Sequence, residues 1–144
     1  MKYLGVDFGL KRVGLAVTDP AGTMAFPLAT LERGGRDALF QALVDVVAWE
    51  GIEAVVVGYP APSPGQEDSL TARQAVNFAR SVARRVAVPV VLMDETLSSH
   101  AAEADLREAG LKRSRQRQAL DQQAAVRILQ SYLAAPGAAQ GVTA

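Results

Sequence analysis

The sequence predicts an α/β domain, and two observations support that prediction. Residues 3–31 alternate between strand-like apolar runs and turn signals, whereas residues 36–134 alternate between helical periodicity and short β-branched runs. Strands that alternate with helices are typical of a parallel sheet. The chain has 144 residues, of which 49% are hydrophobic and 21% charged, so it is long enough for one globular domain. We expect a single domain over residues 1–134, followed by a flexible tail over residues 135–144.

The amino-terminal third of the chain is predicted to form three strands. Residues 3–8 are apolar throughout, and residues 13–18 alternate between large apolar and small or polar side chains. Residues 9–12 would form the hairpin turn between these two strands. A third strand is predicted near residues 26–31, after the turn signals Asp19-Pro20 and Ala21-Gly22. Three consecutive strands with short connections indicate an antiparallel meander.

The remainder of the chain alternates helices with buried strands. Leu39, Leu43, Val46 and Val47 fall on one helical face, which predicts a helix over residues 36–50 that ends at Gly51. Residues 54–57 and 90–93 are continuous apolar runs, as expected for strands buried on both faces. Three further helices are predicted over residues 69–86, 98–110 and 116–134.

The composition excludes several classes of site. The chain has no cysteine and a single histidine, His100, so it forms neither disulfides nor, by itself, a zinc site of several histidines. Any metal ion must therefore be held by oxygen atoms. No apolar run approaches the roughly 20 residues that span a bilayer, and we expect no membrane partner and a cytoplasmic location.

Positive charge is concentrated in the second half of the chain. The formal net charge is +0, but residues 1–70 carry −4 and residues 71–144 carry +4. A basic run over residues 107–117 immediately precedes the last predicted helix, and it is either a solvated loop or a surface that binds a phosphate backbone. The candidate nucleic-acid-binding residues are Lys11, Arg12, Lys112, Arg113, Arg115 and Arg117.

Acidic residues occur where the central strands are predicted to end. Asp7 closes the first strand, and Asp94 and Glu95 follow the fifth. Parallel strands end at one edge of a sheet, where ligands usually bind. Neighbouring residues of a strand point to opposite faces, so only one of Asp94 and Glu95 is expected to face such a site. Asp121 lies on the apolar face of the last helix, from which it could approach the same edge.

Three converging carboxylates would repel one another unless a proton or a cation is present. An all-oxygen site suits Mg²⁺ or Mn²⁺ and would support hydrolysis of a phosphodiester bond by a metal-activated water molecule. The alternative interpretation is that each acid separately caps a helix or forms an ion pair. The prediction of a metal site therefore depends on the three acids lying close together, and no single acid supports it alone.

Four segments of the chain resemble the YqgF/RuvX family, which comprises ribonuclease-H-like proteins regarded as Holliday junction resolvases or as nucleases of the small-subunit ribosomal RNA precursor. The segments are YLGVDFGLKRVGLAVTD at residues 3–19, VVVGYP at 55–60, MDETLSS at 93–99 and LDQQAAVRILQSYL at 120–133. The resemblance implies a five-stranded mixed sheet in which strands one to three are antiparallel and strands one, four and five are parallel, flanked by about four helices. It also implies that Asp7, Glu95 and Asp121 are the catalytic, metal-binding acids.

Two positions depart from the family pattern. The family commonly has an arginine after the motif glutamate, where this chain has Thr96, and the loop at residues 60–65 is rich in proline instead of containing Asn and Asp-Gly. Both differences affect the predicted binding of the substrate more than the predicted set of catalytic acids.

The leading hypothesis is a metal-dependent endonuclease that acts on branched DNA or on the ribosomal RNA precursor. A four-way junction is two-fold symmetric and requires paired sites, hence a homodimer, whereas trimming an RNA end does not. The alternative is a nucleic-acid-binding factor that does not cut, in ribosome maturation or transcription. A sugar kinase or an actin-like ATPase is disfavoured, because 144 residues supply one lobe where two are needed.

Overall fold

The structure is a computed structural model that describes residues 1–95 and 113–144, with the backbone alone for residues 113–117. Over these residues the chain forms six strands, three α-helices and one short 3₁₀ turn at Pro136–Ala138. None of the helices in the described ranges is long and apolar enough to cross a membrane. The elements are β1 (Tyr3–Phe8), β2 (Arg12–Thr18), β3 (Ala25–Glu32), α1 (Arg36–Glu50), β4 (Ala54–Tyr59), α2 (Leu70–Ala83), β5 (Val90–Asp94), α3 (Arg113–Ala134) and β6 (Gln140–Val142).

The strands form one mixed sheet in the order β3-β2-β1-β4-β5-β6. Strand β2 is antiparallel to both β1 and β3, as expected of a meander. Strands β1, β4 and β5 are parallel, because α1 and α2 return the chain to the same end of the sheet before β4 and β5 begin. The predicted mixed topology is confirmed, and the three parallel strands end at one edge, called the carboxyl edge below.

The number of strands differs from the prediction. Residues 140–142 form β6, which pairs antiparallel with Val90–Leu92 of β5, so the expected five-stranded sheet is corrected to six. This strand lies in the segment that we expected to be a flexible tail. Its low apolar content misled the prediction, because an edge strand is held largely by backbone hydrogen bonds. The helix predicted over residues 98–110 lies outside the described residues.

Helices cover both faces of the sheet. In β1, Leu4 and Val6 are fully buried against the layer formed by α1 and α2. Because strand side chains alternate, Gly5 and Asp7 point to the opposite face, where α3 packs. The apolar stripe predicted on the last helix is confirmed, since Ala125, Ile128 and Leu129 are fully buried on this face; Ala16, Val56 and Met93 complete its core.

Glycines on three neighbouring strands allow α3 to lie close to the sheet. A Cβ atom on Gly5 would lie 2.5 Å from Cγ of Leu129. A Cβ atom on Gly14 would overlap the backbone carbonyl of Asp121, and one on Gly58 would overlap the side chain of Ile128. A larger residue at any of these positions would therefore push α3 away, and with it the carboxylate of Asp121.

Candidate active site

Asp7 and Glu95 meet at the carboxyl edge. Asp7 pairs in register with Gly58 of β4, which in turn pairs with Met93 of β5. The backbone N–H of Glu95 continues this pairing by donating to the carbonyl oxygen of Tyr59 at 2.9 Å. Glycine at position 58 leaves room for the Glu95 side chain, since a Cβ atom there would be 2.8 Å from Oε2 of Glu95. The two carboxyl groups consequently approach across β4 and form a hydrogen bond.

The pair of carboxyl groups retains a proton at neutral pH. Burial, with the negative charge of Asp7 as the second cause, raises the pKa of Glu95 to about 8. Burial also raises the pKa of Asp7; the hydrogen bond with Glu95 opposes this effect and the charge of Asp121 adds to it. We conclude that Glu95 is protonated at neutral pH and donates its hydrogen bond to the Asp7 carboxylate.

Asp121 joins the same edge from α3. Its backbone packs on Gly14, and Gly14 is the residue of β2 that pairs with Asp7. The Nε atom of Arg12 donates to Oδ2 of Asp121 at 2.6 Å, and the side chain of Asp121 is 17% exposed. This hydrogen bond and the charge of Asp121 raise the pKa of Arg12. Asp7, Glu95 and Asp121, which come from three distant parts of the sequence, therefore lie along the same edge of the sheet.

The three acids do not form a closed set of metal ligands in this structure. Within residues 1–95 and 118–144, no three acidic or histidine side chains lie close enough together to hold a metal ion as they stand. The ion pair explains this arrangement, because the carboxylate of Asp121 is directed at Arg12 while Asp7 and Glu95 bond each other.

Asp94 contacts the loop that follows β4. Its Oδ1 accepts a hydrogen bond of 3.3 Å from the backbone N–H of Ala61, in the proline-rich loop that follows β4. Of the two neighbouring acids, Glu95 is the one that forms a hydrogen bond with Asp7. Asp94 still contributes to the raised pKa of Glu95 through its negative charge. Thr96 lies outside the described residues.

The predicted cationic residues lie around the same edge, to the extent that they are described. The side chain of Lys11 is exposed on the hairpin between β1 and β2, and Arg12 follows it with its guanidinium on Asp121. Lys112 lies outside the described residues. Arg113, Arg115 and Arg117 belong to the first turns of α3, on the amino-terminal side of Asp121, and only their backbone is described.

Sequence reasoning missed two features of this site. One is the Arg12–Asp121 ion pair, because Arg12 was expected to hold only a phosphate backbone. The other is the role of Gly14 and Gly58, which let α3 and the Glu95 side chain approach Asp7. The sequence did contain a signal for this close approach, since the residue that pairs with Asp7 is a glycine in both β2 and β4.

The sheet order and the helices that cover it define a ribonuclease-H-like fold. Among solved structures, the chain is similar to Thermus thermophilus RuvC in complex with Holliday junction substrate, with a TM-score of 0.60 and 19% identity over 99% of each chain. It is also similar to the fowlpox virus Holliday junction resolvase, with a TM-score of 0.52 and 13% identity over 94% of this chain and 99% of that one. At these identities the likeness concerns the fold.

The particular family follows from sequence comparison. A family model described as RuvX, Holliday junction resolvase, matches residues 1–135, and the chain therefore belongs to the RuvX family. A relative from Nitratidesulfovibrio vulgaris (strain DP4), provisionally named pre-16S rRNA nuclease, is 52% identical over 94% of this chain and 95% of its own length. A relative of the same name from Maridesulfovibrio salexigens is 49% identical over 93% of this chain and 98% of its own.

Proposed function

We propose that this protein is a metal-dependent endonuclease that hydrolyses phosphodiester bonds in structured nucleic acid, with Asp7, Glu95 and Asp121 as its catalytic acids. The observation that supports this most strongly is the partly buried Asp7–Glu95 pair, whose carboxyl groups form a hydrogen bond across Gly58 at the carboxyl edge. Bringing two carboxyl groups together in a partly buried position costs free energy unless a proton or cation is bound between them. A structural role would be filled more stably by uncharged residues, so the pair indicates a cation site.

The donor set fits Mg²⁺ or Mn²⁺ in its chemistry, because all three side chains offer carboxylate oxygens. Asp7 and Glu95 would hold the ion once Glu95 has lost its proton, and Asp121 would join them after leaving Arg12. A divalent cation at such a site lowers the pKa of a bound water molecule and stabilises the charge that develops on the leaving oxygen. The protein positions the acids: the sheet places Asp7 and Glu95, and the glycine contacts of α3 place Asp121.

The basic residues supply the contacts to the phosphate backbone. Lys11 on the first hairpin and the run of Lys112, Arg113, Arg115 and Arg117 would flank the acids from two sides. Arg12 would exchange Asp121 for a phosphate when the acids bind a cation, because both partners are anions. The guanidinium would then hold the substrate at the position where hydrolysis occurs.

Two substrate classes are supported by the relatives. The family description names Holliday junctions, whereas the two relatives at about half identity are named for precursor ribosomal RNA. Resolution of a junction would require a homodimer with paired sites. Maturation of ribosomal RNA would place the protein in the cytoplasm, where ribosomes are assembled. We propose structured nucleic acid as the substrate class, comprising branched DNA, precursor ribosomal RNA or both.

A cleavage panel tests this proposal. Four-way junction, flap, duplex DNA and precursor ribosomal RNA are incubated with wild type and with Asp7→Asn under Mg²⁺ and Mn²⁺. We expect wild type to cut at least one substrate and Asp7→Asn to lose cleavage while retaining binding. Asp45→Asn, which makes the same change at an exposed position of α1, should cut as wild type does. Cleavage by Asp7→Asn at the wild-type rate would refute the assignment.

A nucleic-acid-binding factor that does not cut is the second candidate. The observation in its favour is the ion pair, since Arg12 neutralises the third carboxylate of the cluster. Under this alternative the wild-type protein would bind a member of the panel and leave it intact with every metal tested.

A further inference from the structure

A cavity of about 410 Å³ lies between α1 and α2, on the face of the sheet opposite α3. Its floor contains three phenylalanines from three different elements. Phe8, at the end of β1, stacks on Phe78 of α2 with ring centroids 4.2 Å apart, and Phe78 lies 5.6 Å from Phe40 of α1. The volume falls in the range of about 300–1,000 Å³ that is typical of small-molecule sites. The cavity is therefore large enough for a nucleobase. Phe40 and Phe78 are only 4% and 5% exposed, so the rings support the cavity from below and do not themselves offer an open face.

Two guanidinium groups lie over this aromatic floor. The Arg33 guanidinium is 4.3 Å from the ring centroid of Phe8, and that of Arg36 is 5.2 Å from Phe40. Arg33 donates to two carbonyl oxygens of the β1–β2 hairpin, and Arg36 donates to Oγ of Ser81 at 3.2 Å. These acceptors are neutral, and within the described residues neither arginine forms an ion pair with a carboxylate. Both positive charges therefore remain available to an anion.

Two more arginines meet the same serine from the end of α2. Arg84 donates to Oγ of Ser81 at 2.9 Å, and Arg85 donates to its carbonyl oxygen at 2.8 Å while lying 4.2 Å above the Phe40 ring. Ser81 is 3% exposed, so it holds these guanidinium groups from a buried position. Among the described residues that line the cavity, none is acidic. Such a concentration of like charge favours a ligand with negative charge.

Amide side chains complete the lining. Gln74 and Asn77 of α2 both line the cavity. An amide offers both hydrogen-bond donors and an acceptor, which is the combination that the edge of a nucleobase requires. Guanidinium groups and amides together match the parts of a nucleotide that a protein recognises. A guanidinium plane can stack on the face of a base, its positive charge suits the phosphate, and the amides suit the edge of the base.

The cavity adjoins the acidic edge. Phe8 directly follows Asp7, so the two Cα atoms are about 3.8 Å apart while their side chains point to opposite faces of the sheet. Strand β3 has the same direction as β1, because both are antiparallel to β2. Arg33, which follows β3, therefore lies at the carboxyl edge as well. A strand whose phosphate lies at Asp7 would bring a neighbouring nucleotide to the entrance of the cavity.

We propose that this cavity binds an unpaired nucleotide of the substrate strand, next to the phosphodiester bond that is cut. A base within a duplex has its edge paired and its faces stacked, so it cannot use the amides and guanidinium planes of the cavity; an unpaired base can. The inference rests on the proposed function for the position of the cut, but binding itself requires no catalysis. The substrate would then contain a single-stranded or bulged nucleotide beside the scissile bond.

The test measures binding in the presence of EDTA, where no cleavage occurs. The probes are an RNA duplex with one unpaired 2-aminopurine nucleotide, its DNA counterpart, the corresponding fully paired duplexes and free AMP. We expect the unpaired duplexes to bind about tenfold more tightly than the paired ones, with a change in 2-aminopurine fluorescence when the base enters the cavity. Arg36→Gln should abolish this preference and reduce the salt slope of binding by about 0.7 to 0.9.

A second variant guards against a folding defect in Arg36→Gln. Gly34 lines the cavity, and a Cβ atom at this position would meet open space, so Gly34→Glu should fold and should also remove the preference by repelling phosphate. The controls are Arg73→Gln, at an exposed position of α2, and Gly137→Glu, where a Cβ atom would also meet open space. Both should bind as wild type does.

The inference is overturned if Arg36→Gln and Gly34→Glu retain the preference, or if free AMP saturates the cavity and the unpaired duplexes show no advantage. The RNA and DNA probes show which nucleic acid supplies the nucleotide. Failure of the proposed function would appear separately, as cleavage by Asp7→Asn at the wild-type rate in Mg²⁺.

Discussion

The shared proton of Asp7 and Glu95 predicts how the stability of the metal-free protein depends on pH. The pKa of Glu95 is raised from 4.5 to about 8 in the folded protein. Between these two values the folded state keeps a proton that the unfolded state has lost, so the free energy of unfolding decreases as pH rises. One proton corresponds to about 1.4 kcal/mol per pH unit, or about 3 kcal/mol between about pH 5.5 and about pH 7.5.

Glu95→Gln isolates this contribution. Glutamine does not titrate, and its amide can donate to the Asp7 carboxylate as the protonated glutamic acid does. The free energy of unfolding of wild type, measured relative to that of the variant, should therefore be about 3 kcal/mol lower at pH 7.5 than at pH 5.5. At a urea dependence of about 1–3 kcal/mol per molar, the difference between the two unfolding midpoints should change by about 1–3 M.

The assay is urea unfolding in EDTA, followed by circular dichroism at several pH values. Glu67→Gln, which changes an exposed glutamate, serves as the control and should follow wild type. Added Mn²⁺ should reverse the trend, because the ion replaces the proton on Glu95 and binds more tightly as pH rises. Parallel pH profiles of wild type and Glu95→Gln in EDTA would refute the shared proton.

Two further predictions concern the contacts of Asp121. Gly14→Ala places a Cβ atom against the backbone of Asp121. We therefore expect the free energy of unfolding, measured in urea, to fall by roughly 1–3 kcal/mol and the cleavage rate to fall at least about tenfold. Unchanged values for both would show that α3 need not lie so close to the sheet. Arg12→Gln frees Asp121 from its ion pair, so we expect calorimetry to show tighter Mn²⁺ binding while filter binding shows weaker attachment to nucleic acid. A decrease in both affinities would indicate instead that Arg12 is needed to position Asp121.

The sheet was largely predictable because its periodicity is unambiguous. The three amino-terminal strands and the helix over residues 36–50 follow from alternation, turn signals and the glycine at position 51. Strand β6 was missed because Gln140 and Gly141 carry no apolar signal; its pairing with β5 depends on a backbone edge that exists only in the folded sheet. Patterns of side chains reveal what is buried, and they reveal much less about what is paired only through the backbone.

The acidic site was predictable in its members and not in its electrostatics. Asp7 and Asp121 could be placed at one edge, because one ends a parallel strand and the other lies on the packed face of α3. The proton on Glu95 and the Arg12–Asp121 ion pair depend on burial and on side-chain distances that exist only in the folded chain. The charge state of the site is therefore a property of the fold and cannot be obtained from the residue types alone.

The two features missed from the sequence have one physical origin. Gly14 and Gly58 flank Asp7 on the neighbouring strands, and each removes a Cβ atom where α3 or the Glu95 side chain must approach. The resulting closeness buries the acids and raises the pKa of both Asp7 and Glu95, and it brings Asp121 within reach of Arg12. Replacing either glycine should therefore alter proton binding and packing together, because the same short distances determine both.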